Sequence, residues 1–297
     1  MPANLKEIRE RVRSVQNTQQ ITKAMKMVSA AKLRKAQQAI VQMRPYADKL
    51  NGMLRNILSN LNGDISINFA KERPVEKACL VVVTSNRGLA GAFNANVIKA
   101  AVRVIATEYA EVRAKGNLTI LCIGKKGYDF LKKRYPDCHF ITDFVHLFDN
   151  LHSENVSRVS QVLMDGFEDG TFDHVTVAYG RFRNAATNYP EAEQFLPVTK
   201  LETEGESKQR AWYIFEPDAE GLLSHLIPQI LHTQFYRYTL DTHASEHGAR
   251  MTAMDKASEN AEELLRDLRL SYNKARQEAI TTEILEIVGG AAALSGS

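Results

Sequence analysis

From Pro228 to Val288 the chain has no further proline, and its only glycine in that span is Gly248. A helix of about sixty residues would be roughly 90 Å long at ~1.5 Å per residue, more than one compact domain can use. Within it Leu240, Ala244, Met251, Met254, Ala261, Leu265, Leu268, Tyr272, Ala275 and Ala279 fall on one alternating three-four spacing. His247 and Ser258 are the polar occupants of that frame. A stripe recurring every ~3.5 residues must keep facing another helix, so the spacing predicts a coiled coil in need of a partner.

A second frame opens the chain. Asn4 followed by Glu7 has the form of a capping box, which starts a helix at Leu5. Leu5, Ile8, Val12 and Val15 continue, without a skip, into Leu33, Ala36, Ile40, Met43, Ala47, Leu50, Leu54, Ile57 and Leu61. Between the blocks the frame lands on Gln19, Thr22, Lys26 and Ser29, while the apolar residues shift to Ile21, Met25 and Val28. This shift predicts a seam twisted or opened over residues 18–29. Pro45 predicts a kink, because it removes a backbone donor and crowds the preceding turn.

Charge nominates the partner. Residues 1–61 carry 12 Lys/Arg against 3 Asp/Glu, a balance of +9, whereas residues 218–297 carry 7 against 12, a balance of −5. Opposite charge on two heptad segments favours an antiparallel pair within one chain, the alternative being that each segment dimerises with another copy.

The middle has a different period. Ala78–Thr84 is a β-branched apolar run of the kind buried on both sheet faces, followed by the glycine-bearing loop Ser85–Asn94 and a helical stretch from Ala95 to Ala114. Strands are expected again at Leu118–Ile123, His139–Thr142 and His174–Tyr179, with helices at Tyr128–Arg134 and Asn155–Gly166. An edge strand is expected at Gln194–Leu201 and a last one at Trp212–Phe215, with Pro228 heading the long helix after a short one opened by Glu216-Pro217-Asp218. The expected architecture is therefore α/β plus all-α. Residues 1–61 and 218–297 form an antiparallel two-helix coiled coil, and residues 75–215 form a mainly parallel, Rossmann-like α/β domain.

Several function classes recede on composition. No apolar run approaches the ~20 residues of a membrane span, and the first residues lack the apolar core of a signal peptide. Cys79, Cys122 and Cys138 make an odd count with no CxxC pair, which reads as reduced thiols. Three constellations merit weighing as chemistry. Gly88 and Gly91 precede a helix, where a nucleotide phosphate could sit, but the full GxGxxG and P-loop spacings are missing. His243-Ala-Ser-Glu-His247 has the H-x-x-E-H form of a zinc motif, yet it lies on the coiled-coil stretch and needs a third ligand and an open cavity. Lys23, Lys26, Lys32, Arg34 and Lys35 form a basic face without interleaved aromatics, better suited to solvent or an acidic protein loop than to nucleic acid.

The motifs at both ends and in the centre carry a family resemblance. The opening from Asn4 through Ser14-Val-Gln-Asn-Thr-Gln-Gln-Ile-Thr-Lys-Ala-Met-Lys-Met-Val28 resembles the first helix of gamma subunits of F-type ATP synthases. Ser85–Asn94 resembles that family's S-D-R-G-L-C-G-G-[LF]-N loop, with Asn86, Ala90 and Ala92 as departures. Ala249–Met254, Tyr272–Gln277 and Ile280–Ala291 resemble its C-terminal helix. The resemblance implies a non-catalytic rotor subunit, with no catalytic residue, metal or cofactor of its own. It also implies contact with an alpha/beta hexamer, an epsilon subunit and a ring of c subunits, one copy per complex, on the cytoplasmic face of a bacterial membrane. It places Lys23, Met25, Lys26, Arg250, Gln277, Thr281, Glu283, Ile287 and Val288 at subunit contacts. The competing reading is an α/β nucleotide-binding enzyme that uses the helices as dimerisation arms.

Overall fold

The computed structural model of the chain describes residues 5–60, 68–185, 187–198 and 219–295. The expected cap at Asn4, the strand at Trp212–Phe215 and the turn at Glu216-Pro217-Asp218 lie outside the described residues. Two helices dominate, α1 (Leu5–Asn60) and α6 (Ala219–Ser295). Between them run β1 (Ala78–Val83), α2 (Phe93–Thr107), α3 (Ala110–Ala114), β2 (Leu118–Ile123) and α4 (Lys125–Arg134). They are followed by β3 (His139–Ile141), α5 (Ser153–Glu168), β4 (His174–Phe182) and β5 (Asn188–Leu196). Compact packing divides the chain into two units, residues 1–29 with 251–297, and residues 30–250.

In the larger unit the strands form one sheet in the order β3-β2-β1-β4-β5. β1 pairs in parallel with β2 and β4, β2 with β3, and only β5 runs antiparallel to its neighbour. All six residues of β1 are buried, as a central strand covered on both faces requires. Alternation splits them: Ala78, Leu80 and Val82 join Phe93, Val97, Ala101 and Ile105 of α2 with Leu131 of α4. Cys79, Val81 and Val83 face the other way. There they join Val156, Val159 and Leu163 of α5, Leu54 and Ile57 of α1, and Leu223, Ile227, Leu231, Phe235 and Tyr238 of α6.

That α6 stripe explains one departure from expectation. Pro228 sits inside the helix rather than at its head. A mid-helix proline costs about 3 kcal/mol. Four flanking side chains from Leu223 to Phe235, each worth about 1.5–3 kcal/mol when buried, outweigh it. α1 likewise continues through Pro45, which faces solvent. The edge strand also differs, since β5 starts at Asn188 instead of Gln194. Its residues up to Gln194 are all at least partly exposed, and only Phe195 and Leu196 are fully buried, so the apolar alternation that marks a strand is missing.

In the smaller unit the first part of α1 pairs with the later part of α6. Arg9 donates to the Tyr272 hydroxyl at 2.9 Å, the Thr22 and Ser258 hydroxyls lie 2.7 Å apart, and Lys26 bonds Asp255. From the first contact to the last, the α1 number rises by seventeen and the α6 number falls by seventeen. The pair is therefore antiparallel and within one chain. The expected opening over residues 18–29 does not occur. Thr22 and Ser29 are buried on the uninterrupted frame, while Ile21 and Val28 are 59% and 58% exposed. Thr22, Lys26 and Ser29 stay in the seam with a hydrogen-bond partner each, while Ile21 and Val28 are left outside and Met25 is half-buried.

Gly124, between β2 and α4, has φ +94°, and a Cβ there would stand 2.0 Å from the Thr84 carbonyl oxygen. Gly124→Ala should cost about 3 kcal/mol or more through backbone strain and that clash, read as a lowered urea midpoint in equilibrium unfolding.

Candidate functional site

In an open parallel sheet, ligands bind outside the C-terminal strand ends where the strand order reverses. Here that point lies between β1 and β4, and side chains of α6 fill it. Gly180 of β4 donates its N–H to Thr242 Oγ1 at 3.2 Å and accepts from Ser245 Oγ at 3.0 Å. Arg250 donates to the carbonyls of Arg87 and Gly88 at 3.0 and 3.2 Å and pairs with Glu246. Gly248 lets α6 approach the turn after β4, since a Cβ there would meet the Ala185 carbonyl oxygen at 2.9 Å. The loop after β1 is bound internally as well: Ser85 N–H donates to Asn94 Oδ1 at 3.0 Å and Ser85 Oγ to the Arg87 carbonyl at 2.7 Å. Arg250 therefore holds two carbonyls of this loop to α6, and Ser85 closes it from within.

The histidine pair is built for packing rather than for metal. His243 and His247 place their Nε2 atoms 3.1 Å apart, and the His243 ring stacks on Phe148 at 5.7 Å. His247 Nδ1 is buried without a hydrogen-bond partner. An orphaned N–H costs more than an orphaned lone pair, so the proton is assigned to His247 Nε2, donated to His243 Nε2. Burial first, then the charges of Lys32, Arg250 and Lys35, holds His243 down to about 4. Burial, His243, Arg250 and Lys32 hold His247 down to about 3. Glu246, the carboxylate between them, is tied to Arg250. Among the described residues no group of three His, Cys, Asp or Glu side chains is arranged to hold a metal.

A second buried cluster lies where β4, β5 and α6 meet. Tyr179 and Tyr238 both donate to the Glu193 carboxylate, at 2.6 and 2.9 Å, with their rings 4.5 Å apart. Nearby Asp241 is pushed up to about 6 by burial, against the pull of Arg237 and Arg181 and with the help of Glu193 and Glu191.

Exposed side chains that the resemblance places at subunit contacts lie on the two long helices. Lys23 is exposed, Met25 half-buried, and Lys26 half-buried and engaged with Asp255. Ile21, Met27 and Val28 point outward beside them. On α6 the last fully buried seam residue is Ala275. Beyond it Gln277, Thr281 and Glu283 are exposed, with Thr281 Oγ1 bonded back to the Gln277 carbonyl at 2.9 Å. Ile280, Ile284, Leu285, Ile287 and Val288 are all exposed, the last two at 66% and 59%. Arg250 differs from the other expected contact residues: it is buried, in the larger unit. Spacing alone missed Asp255 as the partner of Lys26 and the outward turn of Ile21 and Val28. The unbroken frame through Thr22 and Lys26 was the signal that could have found both.

The chain matches the protein family described as ATP synthase over residues 4–294. It is 50% identical to the ATP synthase gamma chain of Cytophaga hutchinsonii, covering 99% of this chain and 100% of that one. The chain belongs to the ATP synthase gamma chain family. The gamma chain of Christiangramia forsetii is similar at 51% identity, with 99% and 100% covered. Among solved structures, a chain of the Euglena gracilis mitochondrial ATP synthase (OSCP/F1/c-ring, rotational state 3) superposes with a TM-score of 0.66. That match spans 98% of this chain and 94% of the other at 22% identity, which shows a shared fold. Membership in this family fits the filled crevice, since a gamma chain is a subunit rather than itself the catalyst.

Two outcomes follow from the charged and titrating groups. The Lys26–Asp255 pair is more than a third exposed, so reversing either charge should cost only about 0.5–1 kcal/mol, and the double swap K26D/D255K should recover most of it in thermal unfolding. The histidines, held below their unfolded value, stabilise the fold fully above pH ~6.5 and lose that contribution as pH falls toward 4. Asp241, held above its unfolded value, acts oppositely: its penalty is full above pH 6 and relieved on acidification. Urea midpoints between pH 7 and 4.5 should therefore fall more steeply in D241N and less steeply in H243L/H247Q than in the wild type.

Proposed function

We propose that this chain is the central-stalk rotor subunit of an F-type ATP synthase, coupling proton flow through a ring of c subunits to ATP synthesis in an alpha/beta hexamer. The full-length identity of about half to ATP synthase gamma chains carries the reading. The end of α6 supports it physically. A helix that runs past its intramolecular partner with Ile284, Leu285, Ile287 and Val288 in solvent has been left an apolar surface that an enclosing sleeve would cover. Because these side chains are not locked by interdigitation with a second helix of the same chain, that end can turn within such a sleeve.

The mechanism is a forced bias of conformational equilibrium. One asymmetric shaft meets three chemically identical catalytic subunits with three different faces, so each is held in a different state and rotation exchanges the states. Lys23, with the exposed Ile21 and Val28 and the half-buried Met25, is the contact toward acidic loops of the catalytic subunits; Lys26 is shared with Asp255. Gln277, Thr281, Glu283, Ile287 and Val288 supply contacts along the free end of α6. The α/β unit is the part that meets epsilon and the c ring, and the complex holds one copy at the cytoplasmic face of the bacterial membrane. No helix among the described residues is long and apolar enough to cross a bilayer, so attachment runs through those partners.

Co-expression with alpha and beta subunits should yield a complex with one copy of this chain per three of each, whose ATPase appears only on assembly; a complex that turns over ATP at the same rate without this chain would overturn the reading. Met25→Lys places a further charge on the contact stretch and should reduce ATP-driven proton pumping several-fold while hydrolysis continues, measured by fluorescence quenching in vesicles.

A further inference from the structure

The loop after β1 is held in one unusual shape, and much of the holding comes from α6. Leu89 has φ +64°, the left-handed region that a leucine enters at a cost of about 1–2 kcal/mol. Its side chain is 67% exposed, so packing within this chain does not repay the strain. The two carbonyls immediately before it, of Arg87 and Gly88, are the ones that accept from the Arg250 guanidinium at 3.0 and 3.2 Å. Arg250 and Glu246 are only 7% and 6% exposed and form a buried ion pair one helical turn apart, so the guanidinium has little freedom to swing away. Further bonds brace the same loop. Asn86 Nδ2 donates to Asp149 Oδ1 at 2.9 Å, Lys126 N–H donates to the Ser85 carbonyl at 3.1 Å, and Lys125 N–H reaches Asn86 Oδ1 at 3.3 Å.

We propose that Arg250 is a positioning residue: held by Glu246, it clamps the Arg87 and Gly88 carbonyls to α6 and so fixes Leu89 outward as a preformed contact for a neighbouring subunit. The inference rests on the rotor reading for its partner but not for its clamp. The occupant it fits is an apolar recess edged by carboxylates on a protein subunit, since Arg87, Lys125 and Lys126 are exposed around the loop. Arg250 thus acts through the loop rather than by touching the partner itself, which is the role that family position alone would give it. Its charge is already matched by Glu246 through Nη1, and its Nη2 donates to the two backbone carbonyls.

Hydrogen exchange on the full chain and proton pumping per ATP hydrolysed in the reconstituted complex test the two halves. R250A should exchange the amides of residues 87–91 about tenfold faster than wild type, the scale of losing charged hydrogen bonds. R250K, which keeps a cation donor, should exchange at an intermediate rate. L89N keeps a side chain tolerant of the left-handed backbone, so its loop should exchange as in wild type. Pumping per ATP should fall severalfold in both R250A and L89N. Wild-type exchange in R250A would overturn the clamp, and normal pumping in L89N with a loss in R250A would mean that Arg250 contacts the partner directly. If R250A fails to fold, E246Q carries the same expectation, because it frees the guanidinium without opening a cavity. A wild-type chain that gives no pumping complex would count against the rotor reading, while the exchange result would still decide the clamp.

Discussion

A stripe of small and apolar side chains on a helix can leave water only against something of matching period, and over part of their length the two long helices of this chain supply that surface to each other. In the smaller unit they meet antiparallel along one uninterrupted frame, tied at Arg9–Tyr272, Thr22–Ser258 and Lys26–Asp255. A seam of alanine, leucine and valine alone tolerates sliding by a heptad, since each register buries similar area. The Thr22–Ser258 contact favours one register, because a slip breaks it and leaves each hydroxyl with only the carbonyl of its own helix, Gln19 or Met254. The polar layer therefore gives up some hydrophobic burial and specifies one register. With the register set, α6 outruns α1, and its last turns are left bare for a partner.

The α/β unit shows the same fold-level site used for a different purpose. The crevice at the strand reversal, which in other open sheets admits a ligand, receives Thr242, Ser245 and Arg250 of α6. A fold does not dictate a function, and here the C-terminal strand ends serve as a socket for a helix. Backbone N–H and carbonyl groups at and after the strand ends are satisfied by side chains of that helix, and the glycine that the long helical stretch tolerates, Gly248, sits where the turn after β4 comes closest.

Buried ionisable groups mark where the helix is seated. His243 and His247 are kept neutral by burial and nearby cations, and Asp241 is pushed up to about 6 by burial near two glutamates. Their pH dependences oppose one another between pH 4 and 6.5, which flattens the stability profile over that range. The H-x-x-E-H pattern thus resolves into a hydrogen-bonded imidazole pair beside an ion pair, with each group serving the packing of α6.

The sequence by itself determined the elements whose signal is periodic burial. Leu118–Ile123 forms a strand over the expected residues, the β1 run is buried on both faces, and from Met254 to Ala275 the fully buried residues of α6 all lie on the expected frame, because hydrophobic spacing and burial report the same physical quantity. Family motifs at both ends and in the centre determined membership. Tertiary structure alone decided the rest. Whether Thr22 and Lys26 stay in the seam depends on which residues of a helix more than two hundred positions away face them. Pro228 remains inside a helix because a core packs on both sides of it, and β5 exists because β4 offers an edge to a segment with little apolar pattern of its own. Arg250 looks like a surface cation in sequence and is a buried clamp in the fold, since carbonyls that accept from it carry no mark in a side-chain pattern.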